Sequence, residues 1–137
     1  MFCVNSSLTG GTVVKGQCPQ IESKYPEVFG PVLWASLHTM AANYAEKPTE
    51  TRISACEKFV TSLPDMLPCA FCGAHFRDTI EKYVDKKSMC DSQAALSMFF
   101  CEAHNVVNQG TGKLTRRCDA MALKQEYGYA PLCTGSR

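Results

Sequence analysis

Asp91-Ser92-Gln93-Ala94-Ala95-Leu96-Ser97-Met98-Phe99-Phe100-Cys101-Glu102-Ala103-His104-Asn105-Val106-Val107-Asn108 is the stretch that decides how this chain folds. Leu96, Phe99, Phe100, Ala103 and Val107 recur at three- and four-residue intervals, the spacing of one helical face. Asp91 or Ser92 can cap the helix, because a short oxygen-bearing side chain accepts from a first-turn N–H. Gly110-Thr111-Gly112 ends it. Beside the apolar stripe, Cys101, His104, Asn105 and Asn108 fall at i, i+3, i+4 and i+7 and share a second face. Buried against hydrocarbon, an imidazole and two carboxamides would each need a polar partner. That face reads either as a solvent-facing polar stripe or as one wall of a site for a ligand with hydrogen-bonding edges, such as a nucleotide.

Upstream, the same periodicity returns. Trp34, Leu37, His38, Ala41, Ala42 and Ala45 line one face of a helix that starts near residue 28 and that Pro48 is expected to stop. Thr49 can cap a second helix, with Ile53, Cys56, Phe59, Val60 and Leu63 on one side and an end near Pro64. A third is expected to begin at Pro68, a residue suited to the first helical position, and to turn Cys72, Phe76, Ile80, Tyr83 and Val84 inward. The turn Asp85-Lys86-Lys87-Ser88 leads to the fourth helix, and a short fifth follows at about Asp119 to Glu126. The chain lacks an alternating strand pattern, an internal repeat and a low-complexity tract. The expectation is an all-α fold, a four-helix bundle with a short fifth helix. Residues 1–24 are polar, aperiodic and rich in Gly, Ser and Thr, and read as a flexible N-terminal arm before a folded domain at 25–137.

A chain of 137 residues is one domain by length. Fourteen basic against thirteen acidic side chains leave a net charge of +1 with no block of one sign, so nucleic acid and anionic membrane are not expected as partners. Lys113-Leu114-Thr115-Arg116-Arg117 is locally basic and fits a solvated loop or a phosphate contact. The first residues lack a basic, apolar leader, and no run approaches the roughly 18 apolar residues of a membrane span. Nine cysteines call for oxidising surroundings, metal binding or redox catalysis, and an odd count leaves at least one thiol over or paired with another chain.

Pro68-Cys69-Ala70-Phe71-Cys72 concentrates the chemistry. Placed in the first turn of a helix, both sulfurs lie near unpaired N–H groups and the positive end of the helix dipole, which stabilise a thiolate. Cys69, Cys72 and His75, with Cys90 or Cys56, would instead form a zinc site, but a second Cys-x-x-Cys or finger-type histidine pair is missing. A thioredoxin-type site would follow a strand, and none is visible. On the first helix, Trp34 and His38 share a face, with Tyr44 beyond. The trio serves equally as core packing or as aromatic walls with one hydrogen-bonding imidazole.

Together these pieces resemble the Erv/ALR family of FAD-dependent sulfhydryl oxidases. The resemblance rests on Trp34-x-x-x-His38-x-x-Ala41-x-x-Tyr44, on Pro68-Cys69-x-x-Cys72 and on Cys101-Glu102-Ala103-His104-Asn105-x-Val107-Asn108, with Gly112-Lys113 following. It covers residues 28 to 118. It implies a helical bundle with FAD at its mouth and no metal, acting as a thiol oxidase that generates disulfide bonds in thiol-containing protein substrates. Electrons would leave through FAD to oxygen, forming hydrogen peroxide, or to a cytochrome. Cys69 and Cys72 would be catalytic, with Cys69 the interchange sulfur and Cys72 next to the flavin. Trp34, His38, Tyr44, Cys101, His104, Asn105, Asn108 and Lys113 would contact FAD. Cys101 and Cys118 match a structural bridge whose loop closure is worth about 3 kcal/mol in the chain-entropy model. Cys18 and Cys133 match a pair that joins two subunits in some members, implying a homodimer.

Cys3, Cys56 and Cys90 are left without an assignment; the last two pair with each other or stay free. The chain departs from the family pattern at Arg116-Arg117-Cys118 and at Tyr127 and Tyr129, where the family has Phe-Asp-Cys and tryptophans. Lys113, Arg116, Arg117 and Lys124 are the candidates for phosphate contacts. Without a secretory signal or span, the expected address is the mitochondrial intermembrane space, or host cytoplasm or virion for a virus-encoded member. The competing expectation is a zinc- or disulfide-stapled helical binding module without redox turnover.

Overall fold

A computed structural model describes residues 25–83 and 88–129 of the chain. Its elements are α1 (Pro26–Ala42), α2 (Glu50–Met66), α3 (Ala70–Lys82), a 3-10 turn at Ser88–Cys90, α4 (Gln93–Gly110) and α5 (Ala120–Tyr127). Regular structure is helical throughout the described residues. Val84 and most of the Asp85–Ser88 turn, and the arm at 1–24, lie outside them.

Local chemistry sets most of the helix starts. Thr49, Ser92 and Asp119 each accept a hydrogen bond from the backbone N–H three residues on, at 3.3, 3.1 and 2.9 Å. The fourth start is unusual in that the cap is a sulfur: Cys69 Sγ accepts from the Cys72 N–H at 3.1 Å. The third helix therefore begins at Ala70 rather than at Pro68, because Cys69 takes the capping position and leaves the proline outside.

Two helix ends also differ from expectation. α1 stops at Ala42, well short of Pro48, so Ala45 belongs to the following turn. The reason is Asn43. Its amide nitrogen donates to the Thr39 and Tyr127 carbonyls, and its side-chain oxygen accepts from the Tyr129 N–H, which ties the end of α1 to the end of α5. α2 runs through Pro64 to Met66 instead of ending at the proline. A proline inside a helix costs a backbone hydrogen bond; here tertiary packing holds it, for Pro64 is buried. Phe59 is 39% exposed, not a core residue, so the buried stripe of α2 narrows to Cys56, Val60 and Leu63.

α4 packs against α1, α2 against α3, and α5 lies across α1 and α4. Phe99, Phe100, Val60, Leu37, Phe76, Ile80 and Leu96 fill the centre, with the Tyr83 ring edge-on to Phe99 at 4.8 Å. The Cys56–Cys90 disulfide fastens α2 to the 3-10 turn from inside that core. Gly73, immediately after Cys72, sits against the Pro64 carbonyl, where a side chain of any size would collide. The missing Cβ lets the first turn of α3 rest directly on α2. That contact sets the position of the sulfur pair.

Candidate functional site

Cys69 and Cys72 are joined in a disulfide at the start of α3. Both residues are half-buried, so an edge of the bridge is open to solvent. The capping bond from the Cys72 N–H to Cys69 Sγ aims a helix-end dipole at the sulfurs. A thiolate released here is stabilised by the same N–H groups. Cys56 and Cys90, the possible further zinc ligands, are bonded to one another. Sulfurs held in disulfides are not available as thiolate ligands.

The second part of the site is a wall of flat rings contributed by four helices. The Trp34 indole of α1 lies on the His104 imidazole of α4, with centroids 4.3 Å apart and planes 5° from parallel. His38, one turn along α1, brings Nε2 within 3.0 Å of His104 Nδ1. Tyr127 of α5 stacks on His38 at 5.0 Å. Trp34 also meets Phe76 edge-on at 6.1 Å, and Phe76 stands one turn beyond Cys72 on α3. A chain of ring contacts therefore runs from the disulfide helix to the end of α5.

Protonation in this wall follows from burial. His38 is 3% exposed, and desolvation, with smaller contributions from His104 and Arg116, lowers its pKa to about 4. Burial lowers that of His104 as well, with Lys113 and Arg116 adding to the shift. Both imidazoles are thus neutral at pH 7 and share a single proton along their contact. The other ring nitrogen, His38 Nδ1, is buried and has no hydrogen-bond partner among the described residues. A buried polar atom left unpaired costs roughly 1–3 kcal/mol, so it marks a place for a ligand atom or a water.

The surroundings carry positive charge. Arg116 is paired with Glu126 at 2.8 Å, and Lys124 with Glu46. Lys113 and Arg117 have no ion-pair partner among the described residues. Lys113 and Arg116 both act on the neutral His104 imidazole, and cations in that position suit an anionic ligand group such as a phosphate.

The remaining residues singled out from the sequence divide into four groups. Cys101 and Cys118 are bonded, which clips the segment before α5 to α4. The Asn108 side chain has no hydrogen-bond partner among the described residues and is free to take one from a ligand, while the Asn108 carbonyl accepts from the Lys113 N–H at 2.8 Å and places that lysine. Two others are committed elsewhere. Tyr44 lies in the turn after α1 and donates its hydroxyl to the Cys90 carbonyl at 3.0 Å. Asn105 uses both ends of its amide on the Arg116 backbone, donating to the carbonyl at 2.7 Å and accepting from the N–H at 3.0 Å. Cys18 and Cys133 lie outside the described residues. Tyr127 is not among the expected cofactor contacts, although its ring stacks on His38; its signal in sequence is an aromatic where the family pattern has tryptophan.

Fold and site together define a disulfide-carrying helical bundle whose half-exposed sulfur pair lies at the head of one helix, a helix joined by ring contacts to a neutral, cation-flanked imidazole pair. The chain belongs to the Erv1 / Alr family, whose sequence pattern matches residues 31–128. It is 36% identical over 93 residues to the FAD-linked sulfhydryl oxidase ERV1 of Arabidopsis thaliana, covering 68% of this chain and 47% of that protein. The mitochondrial FAD-linked sulfhydryl oxidase erv1 of Schizosaccharomyces pombe is 33% identical over 103 residues, 74% of this chain and 56% of its own length. A protein of Invertebrate iridescent virus 6, provisionally named a FAD-linked sulfhydryl oxidase, is 34% identical over 92 residues, 64% of this chain and 83% of the viral protein. The chain thus spans about half the length of the two cellular relatives. Among solved structures, the core of yeast Erv1 superposes with a TM-score of 0.66 at 26% identity, covering 91% of this chain and all of that one. The FAD-binding domain of Erv1 from Saccharomyces cerevisiae gives 0.63 at 25% identity, covering 79% and 93%.

Proposed function

We propose that this domain is a FAD-dependent thiol oxidase that makes disulfide bonds in protein substrates. The observation that carries the reading is the Cys69–Cys72 bridge, half-open at a helix start whose first-turn N–H already bonds one of its sulfurs. Family membership supplies the cofactor, and the residues present suit it. Trp34, His38, His104 and Tyr127 offer ring faces, the orphan His38 Nδ1 and the Asn108 amide offer hydrogen bonds, and Lys113 and Arg117 offer charge to a diphosphate. Asn105, Tyr44 and Cys101 act at one remove, holding the segments that carry these groups. Bound there, FAD supplies a two-electron acceptor that passes electrons on to oxygen, with hydrogen peroxide as product, or to a cytochrome.

The chain's own part is sulfur exchange. A substrate thiolate attacks Cys69 Sγ, the Cys69–Cys72 bond breaks, and Cys72 leaves as a thiolate held by the α3 N-terminus. A second substrate thiolate attacks the substrate sulfur of the mixed disulfide and releases Cys69. The substrate leaves oxidised, and its two electrons stay on the Cys69/Cys72 dithiol. Cys72 would be the sulfur next to the cofactor, as the family resemblance implies, and its neighbour Gly73 rests against the Pro64 carbonyl and so fixes where Cys72 stands. Neutral imidazoles keep added positive charge away from the ring wall, while the unpaired cations draw the phosphates.

A homodimer accompanies this reading. Val28, Val32 and Met66 are 43%, 68% and 77% exposed, and with Phe29, Leu33 and Leu67 they line an apolar cavity of about 540 Å³ between α1 and the end of α2. A second subunit would cover it, with Cys18 of one chain bonded to Cys133 of the other. No helix among the described residues is long and apolar enough to cross a membrane. Relatives named as mitochondrial and viral leave the intermembrane space, or the host cytoplasm of a virus, as the proposed address.

The experiment is direct. Purified protein is expected to be yellow and to consume oxygen when given dithiothreitol, and Cys72→Ser to stay yellow while oxygen uptake ceases. Colourless protein that releases zinc on acidification would overturn the oxidase in favour of a stapled binding module.

A further inference from the structure

We propose that Phe71 is a specificity-determining residue: an aromatic ledge that selects thiols carried next to an apolar side chain. The inference rests on the oxidase reading above, since it concerns which cysteines reach Cys69. Phe71 stands between the two sulfurs in sequence and is 81% exposed, although the core of the bundle lies one face away on the same helix. A single exposed apolar residue is ordinary on a protein surface. This one is not placed at random. Any polypeptide that brings a sulfur to Cys69 must lay its neighbouring residues over the first turn of α3, and Phe71 occupies that turn.

The ring has one neighbour of its own kind. It stacks on His75, one turn further along α3, at 6.4 Å with planes 13° apart. His75 is itself exposed, so the pair forms a two-ring shelf beside the half-open disulfide. A partner residue with an aliphatic or aromatic side chain would cover these rings and remove apolar area from water. One with a serine or a charge would not. The occupant is therefore a flexible or unfolded segment whose cysteine lies next to an apolar residue, a residue that a folded substrate would keep buried.

The test isolates Cys69 from the cofactor. Short peptides with one cysteine, activated as the thionitrobenzoate mixed disulfide, are offered to full-length Cys72→Ser protein. The Cys69 thiolate attacks the peptide sulfur, the peptide–thionitrobenzoate bond breaks, and the released anion is followed by its colour. The Cys69→Ser, Cys72→Ser double variant supplies the background from other thiols. With Leu or Phe beside the cysteine, the reaction is expected to run about tenfold faster than with Ser, the scale of one partly buried apolar side chain. Adding Phe71→Ala should bring that ratio to near one, and Phe71→Leu should restore part of it. A ratio near one in Cys72→Ser, or a ratio that survives Phe71→Ala, overturns the proposal. Failure of the oxidase reading is seen separately, as absence of oxygen uptake by the unsubstituted protein with dithiothreitol.

Discussion

Trp34 lies flat on His104, joining α1 to α4 at a centroid distance of 4.3 Å. The pair leaves no gap for a third ring between them, so a planar ligand has to dock on the outer faces or edges of the wall. Stacked aromatic pairs contribute about 0.5–1.5 kcal/mol beyond their burial. Trp34→Ala should therefore do two things: destabilise the domain by about 2–4 kcal/mol through lost packing, and lower the flavin retained per protein. The ratio of visible to ultraviolet absorbance reads the second, and urea unfolding reads the first. A variant that keeps full flavin content would remove Trp34 from the cofactor wall.

His38 gives the domain a pH-dependent stability of definite sign. Its pKa falls from 6.5 to about 4 on folding, because burial disfavours the charged ring. Between those values the unfolded chain binds a proton that the folded chain refuses, so stability is complete above about pH 6.5 and drains away as the pH drops toward 4. The difference amounts to roughly 2–3 kcal/mol by pH 4 from this residue, and His104 shifts in the same direction. Thermal melts at pH 5 and pH 7.5 should differ by several degrees in the unsubstituted protein and by much less in His38→Phe. An unchanged pH slope in that variant would show that the imidazole is not the group responsible.

The elements that were legible in sequence are those whose beginnings and ends are written locally. α4 is one: Ser92, the apolar spacing and the Gly110-Thr111-Gly112 stop lie within one stretch, and the helix runs Gln93–Gly110. The end of α1 was not legible, because Asn43 terminates it through bonds to Tyr127 and Tyr129, far along the chain. Pro64 failed as a stop signal since its surroundings, Gly73 among them, override the local penalty. The Cys56–Cys90 bond could not be chosen by spacing, which carries no information about which sulfurs meet. In the site, residue type and spacing singled out His38, His104 and Trp34, which the fold brings together in one group of rings, whereas the bonds of the Asn105 amide to the Arg116 backbone could not be read from spacing.

Gly73→Ala tests whether the α2–α3 contact sets the sulfur pair. The methyl group would run into the Pro64 carbonyl, a backbone atom that cannot swing aside. Overpacking of this kind typically costs 1–3 kcal/mol. Moving α3 off α2 also displaces Cys72, so a loss of dithiothreitol turnover larger than the loss of stability is expected. Equal stability and turnover in Gly73→Ala would mean that α3 is located by other contacts.

The two structural disulfides should differ in worth. Cys56 and Cys90 are 34 residues apart and Cys101 and Cys118 are 17 apart. Loop-closure entropy then assigns about 4 kcal/mol to the first bond and about 3 to the second. Cys56→Ala with Cys90→Ala also leaves space in the core, since Cys90 is fully buried, which widens the difference. Denaturant unfolding of the two double-alanine variants ranks them. A greater loss on removing the Cys101–Cys118 bond would mean that the carboxy-terminal segment, not the core, limits stability.

Asn105 makes the sharpest distinction between contact and support. Its amide grips the Arg116 backbone from both sides, and the Arg116 side chain reaches Glu126 on α5. Removing the amide frees two backbone groups that water can satisfy, so Asn105→Ala should cost only about 1–2 kcal/mol. The larger effect is on order: the segment from Lys113 to Cys118 would keep its disulfide, the Arg116–Glu126 pair and the Lys113 N–H bond to the Asn108 carbonyl, and lose its clasp at the middle. Asn105→Asp retains the acceptor for the Arg116 N–H and loses the donor, so it should fall between the two. Amide hydrogen exchange at Arg116 reads the clasp directly, and flavin affinity reads its consequence. Faster exchange with unchanged affinity would confine Asn105 to the loop; a fall in affinity with exchange unchanged would make the amide a ligand contact after all.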